Sequence, residues 1–379
     1  MPWRNAVEQR ALLLELLETG LPMEAACEAL GVCRATGYKW KGRFESEGAE
    51  GLQDRPRAPH QRPHALEAKL EERILDAHSK FGWGAKKLKA LLERRYPRTS
   101  WPAASTIGEL LKRHGRVKPR RRRRHGSASR TELTDAQAPN HVWAVDFKGE
   151  FRLGNGRLCY PLTISDLYSR MLLCSHGFYG IEANQTFRRI EQAIAQYGAP
   201  EHVRSDNGAP FTLQFSLWLA DRGIHHERIH PGRPAENGCH ERMHRTLKAD
   251  TARPPESSMA AQQHRFDAFV DRFNFERPHE ALGQRPPADL YRRSSRQAKL
   301  RSPRYPRYFE TRLVDGKGYL HWRSRRDMFV SEALAHRTVG IHEVDDGVWE
   351  LCYHELVIGY FNDNETSSEL SFLSTMFPV

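Results

Sequence analysis

Apolar residues near the start of the chain recur at three- and four-residue spacing, the period of helices that bury one face. Residues 5–48 predict three helices: AVEQRALLLELLETG stopping at Gly20, PMEAACEALG between Pro22 and Gly31, and CRATGYKWKGRFESEG after the Gly31-Val32 turn. A short helix, a glycine turn and a basic helix follow the order of a helix-turn-helix, whose second helix enters the major groove. Arg34, Lys39, Lys41 and Arg43 on that second helix are candidate DNA contacts, and Gly37 is a weak spot within it. The alternative is a small helical bundle with a solvated basic face. A Pro- and Arg-rich stretch, residues 51–65, reads as a linker. A second helical trio follows in LEAKLEERILDAHSKFG, GAKKLKALLERRYP and AASTIGELLKRHG, with a candidate recognition helix around Ala104–His114 carrying Lys112 and Arg113.

From Asn140 the pattern changes to alternating apolar runs. HVWAVDFKGEFRL and RLCYPLTISDLY flank Gly154-Asn155-Gly156, a strong hairpin signal, and SRMLLCSHGFY is a third strand. ANQTFRRIEQAIAQYG reads as an amphipathic helix returning to a fourth strand, EHVRSD. Another helix and a short strand precede a polar helix from about Ala235 to Ala252, and Phe266–Leu282 predicts a helix ending at Pro278. Residues 295–308 form a second Pro/Arg linker. Beyond it lie short alternating strands with a turn at Asp345-Asp346-Gly347, the pattern of a small β-barrel. Trp322 with Arg323, Arg325 and Arg326 offers that domain a basic aromatic face, although core packing explains Trp322 and Trp349 equally well. The expected organisation is a helix-turn-helix domain at 1–55, a second at 64–117, a basic linker at 118–138, an α/β core at 139–295 and a small all-β domain at 305–363.

Charge sharpens this picture. The chain of 379 residues carries a net +12, placed unevenly: residues 1–130 hold 28 Lys and Arg against 15 Asp and Glu, and the remainder 31 against 32. A basic front half joined to a neutral core points to a polyanion partner engaged mainly by the front. The run KPRRRRR, with Arg120, Arg121, Arg122, Arg123 and Arg124, reads as a phosphate clamp whose affinity depends steeply on salt. The six cysteines, at 27, 33, 159, 174, 239 and 352, show no CxxC spacing, which fits a reducing cytoplasm and offers no zinc framework. Neither a secretory leader nor an apolar run of membrane-spanning length is expected.

The candidate chemistry lies in three acids on separate elements. Asp146 sits within a strand, Asp206 ends another just before Asn207-Gly208, and Glu241 rides the polar helix. Carboxylates so placed suit a pair of Mg²⁺ ions, which take oxygen ligands and leave positions open for substrate phosphates. Asp166, at the end of the second strand, is a rival for Asp146, and a structural pair with Arg170 capping its turn is its other reading. His240-Glu241-Arg242-Met243-His244 also spells HExxH, the zinc-protease signature. That reading leaves Asp146, Asp206 and the basic front half unexplained.

WAVDF, RSDNGAPF and ENGCHERMHRTLK, in this order and with Asp206 and Glu241 thirty-five positions apart, resemble the DDE integrase core of bacterial insertion-sequence transposases, relatives of retroviral integrases. CRATGYKWKGRFESEGAEGL resembles the opening of many such transposases, and the ERPHEALGQRPPA tail resembles the segment that closes their core. The resemblance implies a multidomain protein: N-terminal all-α helix-turn-helix modules, a central α/β ribonuclease-H-like integrase core, and a C-terminal small all-β, SH3-like domain. It implies Asp146, Asp206 and Glu241 as catalytic ligands of two Mg²⁺ ions, for which Mn²⁺ substitutes, with no small-molecule cofactor. It matches the first carboxylate to WAVDF, which favours the structural role for Asp166. Asn237, Glu241, Arg245 and Lys248 fall on one helical stripe. With His244 close to that stripe, Asn237, His244, Arg245 and Lys248 are candidate contacts to DNA. The implied activity is DNA transposition: binding of mobile-element ends, 3′-end cleavage and strand transfer into double-stranded target DNA. A homo-oligomer on DNA in a bacterial cytoplasm, at the nucleoid when bound, and no membrane partner complete the expectation. A DNA-binding regulator with a silent core and a zinc metallopeptidase are the alternatives.

Overall fold

The structure, a computed structural model, describes residues 6–55, 66–117, 133–230, 238–323 and 327–363. Arg120 to Arg124, Asn237, Arg325 and Arg326 lie outside the described residues. The chain forms two compact units, Met1–Glu67 and Ala68–Val379.

In the first unit, α1 (Ala6–Glu18), α2 (Met23–Ala29) and α3 (Arg34–Glu47) enclose Leu13, Ala26, Cys27 and Leu30. Gly37 faces that interior: a Cβ there would collide with Cys27 Sγ and lie 2.7 Å from Met23 Sδ. The residue expected to weaken α3 is the one that lets α3 approach α2.

The second unit begins with α4 (Ala68–Phe81), α5 (Ala85–Arg95) and α6 (Ala104–Arg113), closed by Ile74, Leu88, Leu92, Ile107 and Leu111. α5 turns basic residues towards the core: Lys86 Nζ lies 2.8 Å from Glu280 Oε1, Arg94 grips Asp289 and Arg95 lies 3.0 Å from Glu276. These exposed pairs set register more than they add stability.

The core sheet contains β1 (Val142–Phe147), β2 (Phe151–Arg152), β3 (Leu158–Asp166), β4 (Leu172–Phe178), β5 (His202–Ser205) and β6 (His225–Arg228). β3 pairs antiparallel with β1, β2 and β4, while β1, β5 and β6 run parallel. The first alternating run is interrupted at 148–150, so it supplies two strands where one was expected. Helices cover both faces. On one, α7 (Ala183–Tyr197) and α8 (Leu213–Ala220) bury Phe187, Ile190 and Phe215 against Trp143, Val145, Leu162 and Ile164. On the other, α9 (Gly238–Thr251) and α10 (Met259–Asp271) bury Met243, Leu247, Phe266 and Phe269 against Leu153, Cys159 and Leu172.

α10 starts seven residues before the expected Phe266, because Ser258 caps it by accepting the Ala261 N–H. It ends in a wide turn, Arg272–Glu276, just before the expected stop at Pro278. There Asn274 both accepts the Leu172 N–H and donates to the Leu172 carbonyl, each at 2.8 Å, tying the helix end to β4.

The C-terminal region is all-β: β7 (Glu310–Leu313), β8 (Tyr319–His321), β9 (Asp327–Phe329), β10 (Thr338–Asp345), β11 (Val348–Tyr353) and β12 (Leu356–Asn362). Its core holds Trp322, Trp349, Leu351 and Ile358, and Leu217 of α8 joins it. Trp322 is buried, with Arg323 over both indoles and paired to Asp363, so packing accounts for both tryptophans.

Candidate catalytic site

Strand alternation positions the first acid. Trp143 and Val145 point into the α7–α8 core, so Asp146 faces α9, beside its cross-strand partner Thr163. β5 lies parallel to β1, and Asp206 follows its last residue, leaving the sheet at the same end as Asp146. The Asp206 turn is braced: Gly208 N–H donates to Asp206 Oδ1 at 3.2 Å, and Asn207 Nδ2 donates to the Ile229 carbonyl at 2.8 Å. Glu241 projects from the first turn of α9 and is exposed.

Asp146 feels the charge of both other acids, although the three carboxylates do not all lie within 4.8 Å of one another. Asp146 is pushed up to about 7, first by burial, then by the charge of Asp206, with Glu241 adding to it. The Phe147 N–H and Lys148 offset part of this. Acids crowded this way lack the positive charge that an oxygen-ligated dication supplies, so the donor set fits Mg²⁺.

The two histidines of HExxH lie behind Asp146 and face the sheet. His240 and His244 are 1% and 5% exposed, and both place Nε2 on the Thr163 hydroxyl, at 2.7 and 2.6 Å. His240 Nδ1 is 2.8 Å from Ser165 Oγ, and Thr163 Oγ1 is 3.1 Å from the Asp146 carbonyl. A hydroxyl has one hydrogen and two lone pairs. If Thr163 donates to the Asp146 carbonyl, each Nε2 carries a hydrogen towards Thr163, and no lone pair remains there for zinc. Burial pushes His240 down to about 3 and His244 to about 2, so both are neutral. His244 Nδ1 stands 3.7 Å from Asp146 Oδ2. His244 was expected at DNA, and its burial corrects this. Asp146, His240 and His244 do come close enough to share an ion, with His244 presenting Nδ1 to Asp146 while its Nε2 stays on Thr163.

Asp166 is also corrected in part. It is fully buried and caps its turn, but through the Asn140 N–H (2.7 Å) and the Ser169 N–H and hydroxyl (2.7 and 2.5 Å), not by pairing with Arg170.

Among the expected DNA contacts, Arg245 and Lys248 are exposed on the stripe of Glu241. Arg34, Lys39 and Lys41 are exposed on α3, whereas Arg43 is half-buried with its guanidinium over Trp40. Lys112 and Arg113 are exposed at the end of α6, with Arg113 3.4 Å from Glu71. Thr163 and Ser165 were missed. Their signal was available: polar residues at period two within the otherwise apolar LCYPLTISD.

Family models match along most of the described chain: integrase core domains over residues 136–234 and 222–287, a homeodomain-like domain over 36–111 and a helix-turn-helix domain over 8–60. The chain is 29% identical over 230 residues to the insertion element IS476 39.2 kDa protein of Xanthomonas euvesicatoria, covering 60% of this chain and 64% of the relative. It is 28% identical over 235 residues to the insertion element IS407 31.7 kDa protein of Burkholderia multivorans, covering 61% of this chain and 82% of the relative. The chain thus spans less than two thirds of the first of these. The catalytic core domain of HTLV-2 integrase, solved in complex with magnesium, matches with 16% identity and a TM-score of 0.33 over 42% of this chain and all of that one. No described helix is long and apolar enough to cross a membrane. With integrase core domains matched over 136–287 behind helix-turn-helix domains, the chain is similar to the integrase-core proteins of bacterial insertion elements.

Proposed function

We propose that this chain is a DDE-type transposase that binds the ends of a mobile DNA element, cleaves at their 3′ ends and joins them to target DNA. The observation that carries this reading is the crowding of Asp146, pushed up to about 7 by burial and by the charges of Asp206 and Glu241. Asp146, Asp206 and Glu241 would hold two Mg²⁺ ions, or Mn²⁺ in their place, which supply positive charge at the reacting phosphodiester and lower the pKa of bound water.

In cleavage, a water oxygen forms the new P–O bond and the 3′-oxygen leaves, taking up a proton. In joining, that 3′-hydroxyl attacks a target phosphorus, loses its proton to solvent, and the target 3′-oxygen leaves. Neither step needs a covalent bond to the protein. Arg245 and Lys248, one and two turns beyond Glu241, hold phosphates beside the carboxylates. The Thr163 hydroxyl, with His240 and His244, buttresses the backbone of Asp146. Arg34, Lys39, Lys41, Lys112 and Arg113 read the element ends. Because two ends are joined together, the active complex holds at least two protomers on double-stranded DNA, in the host cytoplasm.

The test is a Mg²⁺-dependent cleavage and strand-transfer assay on duplexes from the element's flanks. Asp146→Asn, Asp206→Asn and Glu241→Gln should each abolish both steps while end binding persists. Full activity in Asp206→Asn would sink the mechanism.

A further inference from the structure

A cavity of about 500 Å³ opens on the flank of α9, walled by α5, the β3–β4 turn and the segment after α10. We propose that it is a phosphate site, filled by a phosphodiester of the DNA backbone. This deepens the reading of the chain as a DNA enzyme and rests on it.

Four cations line the cavity: Lys87, Arg170, Arg242 and Arg277. Among the described residues, none of the four forms an ion pair with a carboxylate. Two acids share the wall, but both are committed. Asp166 accepts from Asn140 and Ser169, and Glu280 lies 2.8 Å from Lys86 Nζ. The cations therefore repel one another inside a partly desolvated space. Burial and the nearby Arg277 push Lys87 down to about 8, eased in part by Glu280, and burial pushes Arg277 down, eased in part by Asp250. His279 lines the same wall, and its buried Nε2 has no hydrogen-bond partner. Burial, Lys87 and Arg277 hold that ring down to about 3.

A tetrahedral oxyanion is the ligand this chemistry selects, because guanidinium forks grip its oxygens in pairs and an ammonium adds a point charge. The position favours a backbone phosphate over a free one. Arg242 directly follows Glu241 on α9, so a strand running past the carboxylates would pass the cavity mouth. Lys87 comes from the second helix-turn-helix module, whereas Arg170, Arg242 and Arg277 come from the core. A phosphate held here thus joins the module that binds an element end to the helix that carries Glu241.

The experiment uses the full chain with Asp206→Asn as background, so that binding is read without cleavage. Affinity for a duplex of arbitrary sequence is measured across a series of salt concentrations, alongside melting of the free protein. Lys87→Gln should weaken binding about tenfold near 0.1 M salt and flatten the dependence of log K on log salt by about 1. Arg277→Lys, which keeps the charge and loses the fork, should weaken binding less and leave the slope unchanged. Free Lys87→Gln should melt higher than its parent, since a crowded charge is gone. A merely structural lysine would give the opposite sign. An unchanged slope in Lys87→Gln overturns the proposal. So does pyrophosphate raising the melting temperature of the parent but not of Lys87→Gln while the slope stays the same, which would make the cavity a small-anion site. If the unsubstituted chain cleaves DNA and the slope stays unchanged, only this site falls. If it cleaves nothing and the slope flattens, the site stands and the transposase reading falls.

Discussion

Asp146 and Asp166 stand on adjacent antiparallel strands, three residues apart in register, and burial pushes both carboxyls upward. Their surroundings differ. Asp166 is enclosed by donors, two backbone N–H groups and the Ser169 hydroxyl. Asp146 meets two further acids, with the neutral histidine pair behind it. Asp166 is completed by the protein itself and holds a turn together. Asp146 is left short of positive charge, which is where the proposed mechanism would put a cation.

Substitution should separate the two acids most sharply. Asp146→Asn removes a ligand charge and forfeits several kcal/mol of transition-state stabilisation, on the order of a thousandfold or more in cleavage rate. The same change removes a strained charge, so the free protein should melt higher at pH 8 and unchanged at pH 4. Asp166→Ala reverses the pattern by orphaning the Asn140 and Ser169 N–H groups, at a cost of about 3 kcal/mol of stability. Chemical denaturation of both variants checks this, and equal destabilisation would erase the distinction.

The histidines sharpen the contrast next. His240→Ala takes one of three partners from the Thr163 hydroxyl and removes the His240 bond of Ser165 in the core, and should cost about 2 kcal/mol. Molecules that remain folded should keep Mg²⁺-dependent cleavage. Their loss of it, with zinc found in the purified parent, would restore the HExxH reading. Because the folded values of His240 and His244 lie far below the ordinary 6.5, the unfolded chain takes up protons first. Stability from this pair is therefore present above pH 6.5 and is lost as pH falls towards about 3.

The smallest effect concerns the cation itself. Asp146 ionises near 3.8 when unfolded and at about 7 when folded, so the folded state holds the extra proton between them. Stability from this group falls as pH rises from 4 to 7, and a bound dication reverses the penalty. Mg²⁺ should therefore raise the melting temperature by a few degrees more at pH 8 than at pH 5.5. Calorimetry in buffers of different ionisation heat should find a proton released on binding near pH 6.5. No proton release would mean that Asp146 is not a ligand.

Several features were legible locally. The three helices of each N-terminal trio, the Gly154–Gly156 hairpin and the strand ends carrying Asp146 and Asp206 all follow from short-range periodicity and turn residues. Other features were not. The i, i+4 histidines of α9 serve a zinc site, a DNA face or a core equally well on a helix, and the partners that decide lie 75 to 81 residues away on β3. Gly37 shows a helix weakness in one dimension and a helix crossing in three. TISDLYSR offers Arg170 to Asp166 by spacing, but Arg170 adopts φ 65° and lines the cavity, while Ser169 makes the bonds.

The sequence by itself determined which stretches become helices and strands, where the acids sit on them, and that the basic charge gathers before residue 130. Those properties depend on neighbours a few positions apart. Tertiary structure alone decided which acid is satisfied by donors and which is crowded by other acids, that the histidines are core, and that α5 meets the core segment carrying Glu276, Glu280 and Asp289. Burial and electrostatic partnership are set by residues distant in the chain, and packing is what brings them within reach of one another.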